Sequence, residues 1–406
     1  MTTNLKPKTG QFEFIALMAL LTAIEALSID AMLPALSLIG KSLNAPGNQP
    51  QLIIGAIFLG VAFGQLISGA LSDSIGRRPA VFIFTALYLV GTAICAFATN
   101  FDQMLGGRLL QGFGSTGPYV VSLAIIRDRY QGREMAKISS FVLSVFILVP
   151  VVAPLLGQGI LLIAEWRAIF IALAVFAAVL MIWFAIRQPE TLLPEARMKL
   201  SVHSFAVAAG EVLKTRVLMV YTCVNGMTLG AFIGYLSSGA QIFQDVYHQG
   251  IMFPVYFALL SISIGIAGAL NGVLVEKLGM RRLTGTAFAL LAVASLVFMF
   301  WAQTYDGVPP FAGLLVWLAI STFCFGTSFG NMAAMAMEPL GEKAGMGATI
   351  YGFISTLIAI LVGSFVGQGF DGTVVPLAIG FAAGPAVALV LMFLDGGSPW
   401  RERSGV

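Results

Sequence analysis

The sequence has little charge for its length. Of its 406 residues only 10% are charged, whereas 58% are hydrophobic. A soluble protein carries about 25% charged residues, so a soluble enzyme is excluded. The three cysteines exclude a disulfide-rich scaffold, and the 45 glycines follow no fixed period, which excludes a collagen-like chain. The composition that remains is typical of an integral membrane protein.

Signatures of cofactor chemistry are also missing. The chain contains no Walker A loop, which excludes ATP as a driving force, and no Cys/His cluster with metal-site spacing or nucleophile elbow. Its two histidines, His203 and His248, lie in loops between apolar runs. We therefore expect no metal, no cofactor, no nucleic-acid partner and no enzymatic activity.

Long apolar runs are what the sequence has instead. A helix needs about 20 apolar residues to cross a bilayer core of about 30 Å. The first run has no small-residue cleavage site after it, so we interpret it as a span and not as a signal peptide. Twelve spans of this length are predicted, near residues 13–39, 51–71, 79–98, 103–126, 137–162, 165–186, 217–243, 252–275, 283–303, 310–337, 346–369 and 374–394.

The basic residues indicate an orientation. If the N-terminus is cytoplasmic, 19 of the 22 Lys and Arg lie on the inner side, including Lys6, Lys8, Lys199, Arg401 and Arg403. Only Lys41 and Arg167 lie outside, and Arg108 is within a span. By the positive-inside rule, this asymmetry predicts a multi-pass protein of the inner (plasma) membrane with both termini in the cytoplasm.

The two halves of the chain share a short motif. The loop after the second span reads GALSDSIGRRPA, and the loop after the eighth reads GVLVEKLGMRRL. A glycine, an acid and a second glycine recur at an offset of 203 positions, as Gly69, Asp73 and Gly76 and then as Gly272, Glu276 and Gly279. We predict two copies of a six-helix bundle, over 1–187 and 217–406, with a cytoplasmic linker over 188–216. The linker run VHSFAVAAGEVLKTR has the spacing of an amphipathic helix on the inner membrane surface.

These motifs carry a family resemblance. The first loop resembles the signature between helices 2 and 3 of the major facilitator superfamily, and RLLQGFGSTG resembles its helix 4 motif through Arg108, Gln111, Gly112 and Gly114. PVVAPLLGQG resembles the helix 5 motif of its drug:proton antiporter branch through Pro154 and Gly157, although an earlier glycine is absent and the final pair reads Gly157-Gln158. SIDAMLPAL and IIRDRY resemble the Bcr/CflA multidrug exporters. The resemblance implies the major facilitator fold, an all-α membrane protein of twelve transmembrane helices in two pseudo-symmetric six-helix bundles.

Three charges lie well inside the predicted spans, where each costs about 2.5 to 3.5 kcal/mol on insertion scales. They are Glu25 and Asp30 in helix 1 and Arg108 in helix 4. Asp30 is about 14 Å and Arg108 about 8 Å from the outer end of its helix. We expect these two side chains to pair, and the resemblance implies that such a pair forms the proton-linked centre. A static ion pair that only fixes helix packing is the alternative.

Glu25 and Pro34 modify the expectation for helix 1. Glu25 precedes Asp30 by five residues, a rotation of about 140° beyond a full turn, so the two carboxylates do not share a face. Glu25 is either a second proton or cation site in a cavity or a group that faces another helix. Pro34 is expected to kink the helix, because proline lacks a backbone donor.

Six residues are predicted to form a switch on the inner side, namely Gly69, Asp73, Gly76, Arg77, Arg78 and Asp128. The resemblance implies that Asp73 and Arg77 interact with an acid at the end of helix 4, which is Asp128 here, in the state closed to the cytoplasm, and that these contacts break on switching. Arg78 completes the motif, and a role in topology alone is the alternative for it. Gly76 allows a tight turn between the helices.

Polar groups within apolar helices are candidates for the substrate cavity. They are Gln65, Tyr119, Asn225, Tyr235, Gln241 and Asn331. We expect a monomer in the lipid bilayer that exchanges protons for small, largely apolar compounds and exports them by alternating access. Two alternatives stay open: a symporter or facilitator that imports a small metabolite, and a membrane sensor or partner subunit that does not transport.

Overall fold

A computed structural model describes residues 10–198 and 201–396. Five basic residues used to predict the orientation, Lys6, Lys8, Lys199, Arg401 and Arg403, lie outside these described residues. Within them the secondary structure is helical, with no strand. The fourteen α-helices are α1 (Gln11–Asp30), α2 (Leu36–Ser42), α3 (Leu52–Ile75), α4 (Arg77–Ala96), α5 (Phe101–Arg129), α6 (Gly132–Leu161), α7 (Arg167–Arg187), α8 (Val202–Leu213), α9 (Arg216–Gln241), α10 (Phe253–Leu278), α11 (Met280–Gln303), α12 (Phe311–Met337), α13 (Ala344–Gln368) and α14 (Val375–Gly396).

Twelve of these segments are long and apolar enough to cross a membrane, as predicted. The described residues contain eleven apolar stretches long enough to span, of which Gln11–Ser42 joins α1 to α2 and Phe311–Gln368 contains both α12 and α13. The latter stretch has 58 residues, and the non-helical Gly341 (φ 49°, ψ −118°) divides it. This stretch therefore contains two helices, α12 and α13, that are each long enough to span. The number of spanning segments is thus twelve and not eleven.

The linker contains a short helix, α8, that packs on the second half of the chain. Ala209 and Val212 are buried in a cluster with residues of the second half, where α8 contacts α13 and α9, whereas Val207 is 49% exposed, so the helix is amphipathic. Lys343 donates a hydrogen bond of 2.9 Å to Glu211 of α8, and this bond lowers the pKa of the Glu211 carboxyl. One end of the linker is thus held by the loop before α13.

Helix polarity assigns the loops to two faces. The turns at Gly76 and Gly279 and the linker lie on one face, here the turn face, and Asn48 and the loops before α10, α12 and α14 lie on the other, here the Asn48 face. We refer to α1 to α7 as the first half and to α9 to α14 as the second half. The halves meet along α3 and α13 and along α6 and α10.

The contact between the halves is closed at the Asn48 face. Hydrogen bonds join Asn48 to Phe370 and Gln51 to Gln241 there, and Phe253 and Phe257, in the first two turns of α10, are buried. Toward the turn face none of residues 268–278 of α10 is buried. The structure is therefore closed at the Asn48 face and open toward the turn face.

Candidate functional site

The first membrane-spanning helix, called helix 1, consists of α1 and α2 and is interrupted immediately after Asp30. The α-helix ends at this residue, a 3-10 turn follows over Leu33–Ala35, and helical geometry resumes at Leu36. Pro34 lies in the 3-10 turn, in agreement with the predicted kink, because its nitrogen cannot donate to the preceding turn. Asp30 is 5% exposed and lies at the end of the regular helix. The break therefore places a buried carboxyl where the backbone is irregular.

Asp30 and Arg108 do not form the expected pair. Arg108 is fully buried, and its Nη1 donates to the main-chain oxygen of Ser28 (2.9 Å) and to Gln111 Oε1 (2.6 Å). Its Nε and Nη2 are buried without a hydrogen-bond partner among the described residues. Arg108 thus reaches helix 1 two residues from Asp30, as its depth predicted, but the predicted ion pair is wrong.

The direction of each side chain around helix 1 explains this difference. Ser28 Oγ lies 2.8 Å from Tyr88 Oη of α4, so this side of the helix faces the interior of the first half. Asp30 is two residues further, a rotation of about 200°. It therefore faces away from α4 and Arg108 and toward the second half, where Tyr235 of α9 lies within electrostatic range of its carboxyl.

Glu25 is the second buried acid of helix 1. It is 9% exposed, and its Oε2 is buried without a hydrogen-bond partner in the described part of the chain. Tyr119 of α5 lies within electrostatic range of this carboxyl, and its ring lies 5.5 Å from that of Phe146 in α6. The structure thus brings Glu25 together with one predicted cavity residue, on a different side of the helix from Asp30.

The predicted switch residues form one network at the turn face. Gly76 is the single residue between α3 and α4, and it adopts φ 109°, a conformation that favours glycine. Arg77 Nε donates to Asp128 Oδ2 at 2.9 Å, and its Nη1 donates to Asp73 and to Ser72 Oγ. Gly69 lies on α3 two turns before the loop, where a Cβ would contact Val120 of α5.

The state in which these contacts occur differs from the expectation. Arg77 binds Asp128 here although the turn face is the open one. Both residues belong to the first half, so their contact does not depend on closure between the halves. It therefore does not identify the state closed at the turn face. Arg78 has its own partner, since its Nη2 donates to the main-chain oxygen of Ala185 at 2.5 Å.

Glu190 in the linker completes the network, and sequence reasoning missed it. Its carboxylate accepts hydrogen bonds of 3.0 Å from the backbone N–H groups of Arg77 and Arg78, at the N-terminus of α4. Thr191 Oγ1 donates to Asp128 Oδ2 at 2.8 Å. A negative group at a helix N-terminus is stabilising. The sequence signal was an acid shortly after α7, but nothing in its position indicated the turn 113 residues earlier.

We expect Glu190→Gln to lower the unfolding temperature of the detergent-solubilised protein. The neutral amide lacks the negative charge that interacts favourably with the N-terminus of α4. Its NH2 group also faces one backbone N–H, so two donors meet and one hydrogen bond is lost. The loss of a capping interaction costs about 1 kcal/mol. Glu195→Gln removes the same charge from an exposed position of the same linker and serves as the control. Equal unfolding temperatures for the two variants would argue against capping by Glu190.

The second half repeats the turn with other partners. Gly279 adopts φ 79° between α10 and α11, as Gly76 does between α3 and α4. Arg281, at the position of Arg78, donates through Nη2 to the main-chain oxygen of Met392 in α14, and its Nη1 lies 3.7 Å from Asp395. In both halves an arginine after the glycine thus binds a carbonyl of the sixth helix, which agrees with the predicted repeat.

Pro154 and Gly157 bring α6 against the break in helix 1. Both are buried, and a Cβ at Gly157 would overlap the main-chain oxygen of Ala31, the residue after Asp30. Only glycine permits this approach. The motif predicted for the fifth span, which lies on α6, therefore packs directly on the segment that follows Asp30.

Apart from Tyr119, which lies near Glu25, the substrate candidates divide into two groups. Asn225 Oδ1 and Tyr235 Oη are buried without a hydrogen-bond partner among the described residues, and Gln65 lies against Gly352 of the other half. The amides of the other two are already paired: Gln241 accepts from Gln51 at 2.5 Å, and Asn331 exchanges two hydrogen bonds with Asn271 of α10. Asn271 was not among the residues predicted from the sequence.

Comparison with known proteins agrees with this architecture. The family model of the Major Facilitator Superfamily matches residues 18–364. The chain belongs to the Major Facilitator Superfamily. It is a multi-pass membrane transporter and not an enzyme, and the fold predicted from the sequence is confirmed.

Similar proteins within this superfamily include two curated bacterial relatives. An uncharacterized MFS-type transporter, YdgK of Bacillus subtilis, is 31% identical over 89% of this chain and 90% of its own length. The bicyclomycin resistance protein homolog of Haemophilus influenzae is 25% identical over 94% and 95%. The second relative agrees with the predicted resemblance to the drug:proton antiporter branch and to Bcr/CflA exporters.

A solved structure shows the same fold. The xylose transporter XylE from E. coli, in a partially occluded inward open conformation, superimposes with a TM-score of 0.75 at 13% sequence identity. The alignment covers 94% of this chain and 97% of that one.

Proposed function

We propose that this transporter exports small, largely apolar compounds in exchange for protons by alternating access. The observation that carries the proposal is the position of Asp30. Its carboxyl is 5% exposed and lies at a helix break, within electrostatic range of Tyr235 in the other half of the protein. A group that gains or loses a proton at the contact between two moving halves couples proton transfer to their movement.

The relatives support export and not import. One relative is named for bicyclomycin resistance, a property that an exporter provides. Pro154 and Gly157 of the antiporter motif pack on the Asp30 break, which supports a role for this motif in the same coupling. The 31 Phe and 17 Met provide adaptable apolar surface for varied compounds.

The positive-inside rule supports a cytoplasmic turn face. Within the described residues, the turn face carries basic residues such as Arg127, Arg133 and Lys137, whereas Lys41 and Arg167 lie at the Asn48 face. With this orientation the protein is open to the cytoplasm, both termini are cytoplasmic and the membrane is the inner one. We further infer that a monomer acts alone, with bundles over 1–187 and 217–406.

A transport cycle follows from these assignments. In the state open to the cytoplasm, Asp30 releases its proton and a compound enters between the halves. The Asn48 face then opens while the turn face closes. The compound leaves to the outside and Asp30 takes up a proton, so one bound species replaces the other. Glu25, beside Tyr119, is a second acid in the first half that contributes to proton or cation binding.

Inside-out vesicles with an imposed pH gradient, acidic inside, test the proposal. Bicyclomycin is the first compound of the panel, because of the relative that bears its name. Addition of a transported compound should collapse the gradient, reported by a pH-sensitive dye, only in vesicles that contain the protein. Accumulation of the panel in right-side-out vesicles with inward proton flow would establish import and contradict export.

A further inference from the structure

We propose that five side-chain amides, from both halves, form the gate that closes the Asn48 face. The inference rests on the alternating access of the proposed function, but not on its direction or its proton coupling. In each cycle the hydrogen bonds of these amides must break for the Asn48 face to open. The gate residues are Asn48, Gln51, Gln241, Gln244 and Gln368.

Asn48 provides the outermost connection. Its Nδ2 donates to the main-chain oxygens of Gln368 (3.0 Å) and Phe370 (2.7 Å), at the end of α13 and just after it. Gln368 Nε2 returns a hydrogen bond of 2.8 Å to the main-chain oxygen of Asn48. Each side chain thus binds the backbone of the other half, so the loop before α3 and the end of α13 are joined in both directions.

Gln51 lies one helical turn further in. It is 3% exposed, and its Nε2 donates to Gln241 Oε1 of α9 at 2.5 Å. Its Oε1 contacts Gly367 of α13, next to the Cβ of Ser237. Gln51 is therefore enclosed by two helices of the second half and cannot stay there when the halves separate.

Gln244 connects the gate to the break in helix 1. It follows α9 in a short π-helical turn, and its Nε2 donates to the main-chain oxygen of Pro34 at 3.1 Å. Pro34 lies four residues after Asp30, within the same irregular segment. A movement of this segment when Asp30 changes its charge would therefore reach the gate through one hydrogen bond.

The gate contains no charge. Among the described residues at the Asn48 face, no ion pair joins the two halves. A hydrogen bond between neutral groups contributes little net stability, because water replaces it on opening. Breaking a buried ion pair leaves uncompensated charges and costs far more. Amides therefore suit a gate that must open in every cycle.

Cysteine labelling measures the opening of this gate without any substrate. In a chain whose three cysteines, Cys95, Cys223 and Cys324, are replaced by alanine, Ser237→Cys places a thiol beneath Gln51. A membrane-impermeant maleimide applied to the Asn48 side reports how often the gate opens. We expect Gln51→Met and Gln241→Met, which keep side-chain length, to increase the labelling rate about two- to tenfold, the factor for the loss of one hydrogen bond.

A matched amide variant is available on the same face. Gln103 accepts hydrogen bonds from Thr99 within the first half, and Gln103→Met should leave the labelling rate unchanged. The double variant of Gln51 and Gln241 should exceed neither single variant, because both changes remove the same bond. Unchanged labelling in the gate variants, or an equal increase in Gln103→Met, would overturn the proposal.

Reversible cross-linking provides a second measurement that does not rely on weakened variants. In the same cysteine-free chain, Gln51→Cys and Gln241→Cys, joined by a short bifunctional methanethiosulfonate, should hold the gate closed. We expect this cross-link to stop the gradient collapse that bicyclomycin causes, and a reductant to restore it. Continued collapse after complete cross-linking would overturn the gate. If the parent chain shows no collapse with any compound while Gln51→Met still increases labelling, the exporter proposal fails and the gate stands.

Discussion

Asp30→Asn is expected to abolish the exchange of protons for compound. Asparagine has nearly the same shape as aspartate and can still form hydrogen bonds, but it cannot take up or release a proton. Because Asp30 has no ion pair with Arg108 in this structure, the change leaves the hydrogen bonds of Arg108 to Ser28 and Gln111 intact. The loss should therefore concern coupling and not folding. The measurement is the collapse of the pH gradient in inside-out vesicles.

Two further variants distinguish the two acids of helix 1 from a general effect of charge. Asp102→Asn makes the same chemical change at an exposed position of α5 and should not alter transport. Glu25→Gln tests the second buried acid separately, beside Tyr119. If Asp30→Asn still exchanged protons for compound while Glu25→Gln did not, the coupling group would be Glu25 and the role assigned to Asp30 would be wrong.

Gly157→Val should eliminate transport by a purely steric route. The new side chain would overlap the main-chain oxygen of Ala31, and this backbone cannot yield unless the break in helix 1 moves. Overpacking of a well-packed site costs about 1 to 3 kcal/mol. We expect a lower unfolding temperature in detergent and no gradient collapse, since α6 would be displaced from the segment that carries Asp30.

The same helix provides the control for this variant. Gly159 lies two residues further along α6, and a Cβ added there would meet no atom of the described residues within 4 Å, so Gly159→Val adds the same atoms to open space. It should transport at the parental rate and unfold at the parental temperature. Parental transport by Gly157→Val would show that close packing of α6 on the break is not required.

Helix number and order were predictable because each depends on a local property. A run of about 20 apolar residues satisfies its backbone within one helix and buries its side chains in lipid, whichever helices surround it. The duplicated loop was visible for a similar reason, since Gly76 and Gly279 each permit a backbone conformation that other residues rarely adopt. The kink at Pro34 follows from a missing N–H group.

Partner choice was not predictable in the same way. Depth along a helix follows from counting residues, and this placed Arg108 correctly beside helix 1. The direction in which a side chain points around its helix depends on how that helix packs on its neighbours. In this structure the packing directs Asp30 toward Tyr235 and away from Arg108. Glu190 and Gln51 find their partners 113 and 190 positions away, where no spacing relates them.

The low charge content of the chain therefore has two kinds of consequence. The apolar runs, the asymmetry of basic residues and the repeated glycine turn establish a twelve-helix membrane protein, because bilayer thickness and backbone geometry act on each segment alone. The closed Asn48 face, the amide contacts across it and the linker contact at Glu190 arise only when the two halves and the linker pack together. They depend on helix rotation and on long-range approach, which a linear pattern does not encode.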